Sequence, residues 1–134
     1  MHTEVLDVVT GASTTTDLTA AVRAFCTGKG DGLCHVFVPH ATAGVALMEV
    51  GSGSEEDLAQ ALERVLPRDA SYVHRHGSPG HGADHLVPAF VSPSVVLPVH
   101  RGEPLLGTWQ SVVLVDTNGD NPRRQVRLSL LASP

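Results

Sequence analysis

The sequence predicts an α+β domain built on a mixed, largely antiparallel sheet, with two main helices and one short helix. Three observations carry that prediction. Short β-branched and apolar runs outnumber the helical stretches. Many of those runs are chain neighbours joined by short links, as antiparallel strands are. The 134 residues are 42% apolar, enough for one core, so a single domain spanning residues 1–134 is expected, with no repeat or internal boundary.

Thr3 to Val9 is β-branched and apolar, and reads as the first strand. Thr14, Thr15 and Thr16 with Asp17 offer N-cap chemistry. Leu18, Ala21, Val22, Phe25 and Cys26 then recur at helical spacing on one face, and Gly28 and Gly30 end that helix. Leu33 to Val38 is the next strand, closed by Pro39 and His40. Ala43 to Glu49 follows as another, across a link that carries His40 and Thr42. Residues 51–54, Gly-Ser-Gly-Ser, supply a turn and an N-cap. The helix they open places Leu58, Ala61, Leu62, Val65 and Leu66 on one face and stops at Pro67.

Residues 68–84 are polar and rich in Gly and Pro, too long for an ordinary connection. His85 to Phe90 reads as the short helix and Ser94 to Val99 as a strand, with a turn at Gly102. Thr108 to Thr117 is a strand whose run Val112 to Val115 suits a central position. Asn118-Gly119 is a turn signal of the hairpin kind. Val126, Leu128 and Leu130 alternate with Arg127 and Ser129 in a final, half-exposed strand.

Composition narrows the partners. A net charge of −5 argues against nucleic acid and anionic membranes, which attract basic surfaces. No segment reaches the roughly 20 apolar residues of a membrane span, and the opening MHTEVLDVV lacks a basic leader. A cytoplasmic protein is expected. Cys26 and Cys34 lack C-x-x-C spacing and read as small buried thiols in a reducing compartment.

The eight histidines are the chemical signal. His74, His76, His81 and His85 fall within twelve residues, and His40 sits upstream at a strand end. Imidazole binds zinc and similar metals, and catalytic sites commonly use three protein ligands. The spacing matches neither a zinc finger nor an H-E-x-x-H helix, so any site must be assembled by the fold. A solvated loop whose histidines ligate nothing is the competing reading. Glu49, at a strand end, and Asp57, in a first helical turn, are the candidate carboxylates, although the helix dipole alone favours an acid at Asp57. Residues 51–54 open a helix and could bind an anion, with ordinary serine capping the simpler account. Arg123 and Arg124 could clamp a phosphate or simply end a solvated hairpin. Trp109, the single tryptophan, stands beside the polar Gln110 just after Gly107.

Taken together these residues resemble the YjbQ-like family, also called the secondary thiamine-phosphate-synthase family. The likeness runs over nearly the whole chain: Pro39-His40-Ala41-Thr42-Ala43, Glu49, Asp57, Pro67, Tyr72-Val73-His74, Asp84-His85-Leu86, Leu97-Pro98-Val99, Gly102, Gly107-Thr108-Trp109-Gln110 and Arg124. The resemblance implies an α+β homotrimer with a site at His40, Glu49, Asp57, His74 and His85. It also implies a weak transfer of hydroxymethylpyrimidine from its diphosphate to thiazole phosphate. Met48 and Val50 stand where the family has Asn on each side of Glu49, Ala41 replaces a hydroxyl residue, Ser111 replaces a Gly, and His76 and His81 are additional.

Three functions follow as expectations. In a transferase, His40, His74 and His85 hold a metal or the substrate, and Glu49 and Asp57 manage protons or Mg²⁺. Thr42, Trp109, Gln110 and Arg124 bind the phosphorylated small molecule. In a metal-dependent hydrolase, the same histidines bind Zn²⁺. In a non-enzymatic trimeric module, the polar pocket holds a metabolite or ion.

Overall fold

The computed structural model describes residues 1–69 and 71–134. Its long strands follow the sequence patterns closely. Strands β1 (His2–Val9), β2 (Thr15–Asp17), β3 (Gly32–Phe37), β4 (Ala43–Met48), β5 (Ser94–His100), β6 (Glu103–Pro104), β7 (Ser111–Asp116) and β8 (Arg123–Ala132) are joined by helices α1 (Thr19–Cys26) and α2 (Ser54–Val65). Two single-turn helices, α3 (His81–Asp84) and α4 (Val87–Phe90), complete the set.

Every strand pairing is antiparallel, and the strands divide into two sheets where one mixed sheet was expected. The larger runs β1-β8-β3-β5-β6 and the smaller β2-β7-β4. The reason lies in the faces. Leu128, Val36 and Leu97 alternate with exposed neighbours, so the large sheet buries one face only. Val112 to Val115 are all fully buried, so β7 is covered on both faces. Val112 and Leu114 meet the large sheet and α1, while Val113 and Val115 meet α2, α3 and α4 through Leu62, Leu66, Ala83 and Val87. Two cores therefore lie on either side of the small sheet.

Several local expectations change. Asp17 caps α1 as read, its Oδ1 accepting the Thr19 N–H at 2.9 Å, yet Thr15–Asp17 also forms a strand against β7. Neither Ser52 nor Ser54 caps α2; Gly53 does so at φ 97, and Glu55 accepts the Gly51 N–H. The Asn118-Gly119 turn does not close a hairpin, because β7 belongs to the small sheet and β8 to the large one. The short helix expected over His85–Phe90 is the single turn α4, which starts at Val87, and a further turn, α3, forms within the stretch expected to be irregular. The strand expected from Thr108 begins at Ser111. Cys26 and Cys34 are free and buried side by side, and burial pushes the Cys34 thiol up to about 12.

Candidate metal centre

The polar segment after α2 is pinned at both ends. The Tyr72 hydroxyl donates to the Pro67 carbonyl at 2.7 Å, and the Ser78 N–H donates to Asp120 Oδ2 at 3.2 Å. Gly77 and Gly80 take left-handed backbone, at φ 82 and 86, and lead the chain into α3. His85 follows His81 by four positions, so both rings leave the same side of that turn. Their Nε2 atoms lie 3.0 Å apart.

His74 and His76 fold back over this pair. The six ring-centroid separations among His74, His76, His81 and His85 run from 4.0 to 5.5 Å. One ligand atom each from His74, His76 and His85 falls within 4.8 Å of the others, a grouping that can hold a metal ion. The donor set fits: Nδ1 of His74 is buried without a hydrogen-bond partner. Burial, then its histidine neighbours, holds the His74 imidazole below the ordinary 6.5, and His85 is lowered for the same reasons, against an opposing pull from Asp84. Depressed imidazoles are neutral, the form that coordinates. An open groove of about 540 Å³ borders His74, His76 and His81, lined by residues 71, 72 and 74–82.

Behind the histidines lies Asp84, fully buried. Its Oδ1 takes a hydrogen bond from Thr117 Oγ1 at 2.7 Å and another from Arg68 Nη1, tying α3 to the end of β7. Asp84, Arg68 and Thr117 also form part of the wall of a cavity of about 280 Å³, whose apolar side includes Leu62, Leu66 and Val87.

The convergence expected of His40, His74 and His85 holds for the last two, with His76 in the third place. His40 stands outside the group: its Nε2 accepts the Gln125 N–H at 2.9 Å, and burial followed by the nearby Arg124 lowers its pKa. Arg124 is no surface clamp. It is 4% exposed, with Nε on Asp116 Oδ2 and Nη2 buried unpaired, because its alternating position on β8 turns it inward. Thr42 is buried beside Asn118, whose amide reaches Thr42 Oγ1 at 3.5 Å.

Glu49, Trp109 and Gln110 gather at the opposite end of the small sheet. Pairing of Ala43 with Asp116 and of Met48 with Ser111 fixes this, since six strand residues span about 20 Å. Trp109 is 73% exposed in a turn where Gln110 Oε1 accepts the Gly107 N–H at 2.8 Å. Asp57 is exposed in the first turn of α2. Neither acid joins the histidines among the described residues. The histidine cluster itself had been visible as four imidazoles within twelve residues.

Comparison with known proteins places this arrangement. The profile of the family described as UPF0047 protein YjbQ-like matches residues 4–133. The chain belongs to the UPF0047 (YjbQ-like) family. It is 68% identical over 131 residues to the UPF0047 protein Rv2556c of Mycobacterium tuberculosis, covering 98% of each chain. It is 33% identical to a UPF0047 protein of Archaeoglobus fulgidus, over 75% of this chain and 79% of that one. Among solved structures, a YbjQ-like protein of unknown function from Sulfolobus solfataricus superposes with a TM-score of 0.90 at 26% identity, covering 98% and 97% of the two chains. A hypothetical protein from Aeropyrum pernix gives 0.90 at 29%, covering 99% and 100%. The UPF0047 fold is thus an α+β arrangement of antiparallel sheet with few helices, as found here. No helix among the described residues is long and apolar enough to cross a membrane.

Proposed function

We propose that this UPF0047 protein is a metal-dependent hydrolase of a small phosphorylated or acyl substrate, centred on His74, His76 and His85. One observation supports it above the others: three imidazole ligand atoms within 4.8 Å of one another beside an open groove. A neutral nitrogen donor set of this kind suits Zn²⁺ or a similar late metal better than Mg²⁺, which takes oxygen ligands. Such a cation supplies Lewis acidity and lowers the pKa of water to about 7. The chain's own residues arrange the rest. Burial favours the neutral form of His74 and His85, and the exposed His76 edge and the groove admit substrate.

Thiamine-phosphate synthesis draws less support from the geometry. The residues expected to bind phosphate and move protons stand apart from the histidines: Arg124 is buried on Asp116, and Glu49 lies at the other end of the small sheet. The family resemblance supports a homotrimer, and the two buried thiols fit a cytoplasmic home. The negative net charge speaks for a small-molecule partner over nucleic acid or membrane.

The test uses untagged protein. Elemental analysis is expected to find roughly one transition metal per chain after zinc loading and desalting, and p-nitrophenyl phosphate or p-nitrophenyl acetate to be turned over. A His74→Ala, His85→Ala double variant is expected to lose both. Turnover equal to that of the double variant overturns the hydrolase.

A further inference from the structure

His81 is absent from the ligand set just proposed, and its surroundings give it a role. Nδ1 of its ring is buried and lies 3.3 Å from Asp120 Oδ2 and 3.7 Å from Asp84 Oδ2. The Asp84 oxygen is itself buried without a partner, on a residue that is 0% exposed. Two carboxylate oxygens flank this nitrogen, and a carboxylate only accepts. Their negative charge favours the ring proton on Nδ1, which leaves the lone pair on Nε2.

That lone pair faces His85 Nε2 at 3.0 Å. Nitrogens that approach this closely share either a proton or a metal. Sharing a proton would require His85 to donate from Nε2 and leave it only Nδ1 for coordination. Sharing a metal satisfies both: two imidazoles on a tetrahedral ion with bonds of about 2.0–2.1 Å place their nitrogens roughly 3.3 Å apart. The four rings pack together at the centroid separations given above, His81 joining them through His85. The ring packs directly against Gly77, where a Cβ would lie 2.6 Å from its Cγ and Cδ2.

We infer that His81 is a fourth ligand of the metal centre, its tautomer set by Asp84 and Asp120 in a carboxylate–histidine–metal arrangement. The inference rests on the metal site proposed above and extends it: the protein supplies four imidazoles, and the water to be activated would enter as a fifth ligand from the groove, a coordination number that catalytic zinc reaches.

The experiment is Co²⁺ and Zn²⁺ binding to the full, untagged chain, as wild type, His81→Gln and Asp120→Asn. Wild type is expected to give the intense visible absorption of a four-coordinate Co²⁺ site. His81→Gln should shift that band and weaken Zn²⁺ binding, read by competition with a chromophoric chelator, by more than roughly tenfold. Asp120→Asn, at a half-exposed residue, should keep the band position and weaken binding roughly tenfold, within the range of outer-shell changes. A purely structural His81 would lower the melting temperature of the metal-free protein and leave the Co²⁺ band where it was; that result overturns the inference. Binding that depends on His81 without any hydrolysis would remove the proposed reaction and leave the fourth ligand standing. Wild type that binds neither ion removes both.

Discussion

Gly77 shows how a single residue keeps the histidines together. Its φ of 82 disfavours any side chain, and the space a Cβ would take is filled by the His81 ring. Gly77→Ala is therefore expected to destabilise the fold by about 1 kcal/mol or more through backbone strain. It should also displace His81 and weaken Zn²⁺ binding, as a chelator competition would show; unchanged affinity would mean the ring is held by other contacts. A second residue-scale prediction concerns pH. Burial holds His40, His74 and His85 below the ordinary 6.5. The unfolded chain then takes up protons first as pH falls, so the stability these neutral rings contribute is complete above about 6.5 and is lost on going lower, towards their folded values. The urea midpoint of chelator-treated protein should fall between about pH 7.5 and 5.5, the window set by the free imidazole; a midpoint that rises on acidification refutes this. Residue identity was legible in sequence where chemistry clusters locally, as with His74 and His85. It was not legible for His40 or Arg124, because only the register of β8 reveals that Gln125 occupies one and Asp116 the other.

At the scale of elements, β7 governs both cores and the metal centre. Its unbroken valine and leucine run announced a strand covered on both sides, and the structure gives Leu114 to one core and Val115 to the other. Leu114→Ala is expected to cost about 2–5 kcal/mol, the usual range for an emptied buried leucine site. Zn²⁺ affinity measured well below the melting temperature should be unchanged, since Leu114 faces away from α3. Val115→Ala removes less volume but packs in the core that includes Ala83 of α3, so it should weaken metal binding along with stability. Equal effects of the two variants on affinity would contradict that division. Helix α1 and the alternating β8 were plain in the sequence, because one-sided burial writes a period into the residues. The short strands β2 and β6 were not, since two or three residues carry no period. Nor was the crossing at Asn118-Gly119, where local turn chemistry is the same whether the chain returns to its own sheet or leaves for another.

For the molecule as a whole, the uncovered face of the large sheet is the feature the single chain does not explain. Strand register aligns Leu131, Leu33 and Pro98 in one row across β8, β3 and β5, and Val96 and Phe37 lie on the same side of the sheet. Leu33 is 50% and Leu131 61% exposed, on the adjacent inner strands β3 and β8 of the five-stranded sheet. Contiguous apolar area of this kind marks an interaction surface more often than a free one. A small domain with few aromatics gains by burying it against further copies. The homotrimer expected from the family resemblance provides the occupant, although no periodicity in one chain could have specified a number of subunits. Light scattering on the purified protein should therefore give the mass of three 14.1 kDa chains. Leu33→Asp places a charge at the centre of the row without touching either core, so it should yield a folded monomer with unchanged far-ultraviolet circular dichroism. Assembly through this face requires the variant to dissociate. A variant that remains trimeric assigns the interface to another surface, and a wild type that runs as a single chain leaves the exposed row for a different partner.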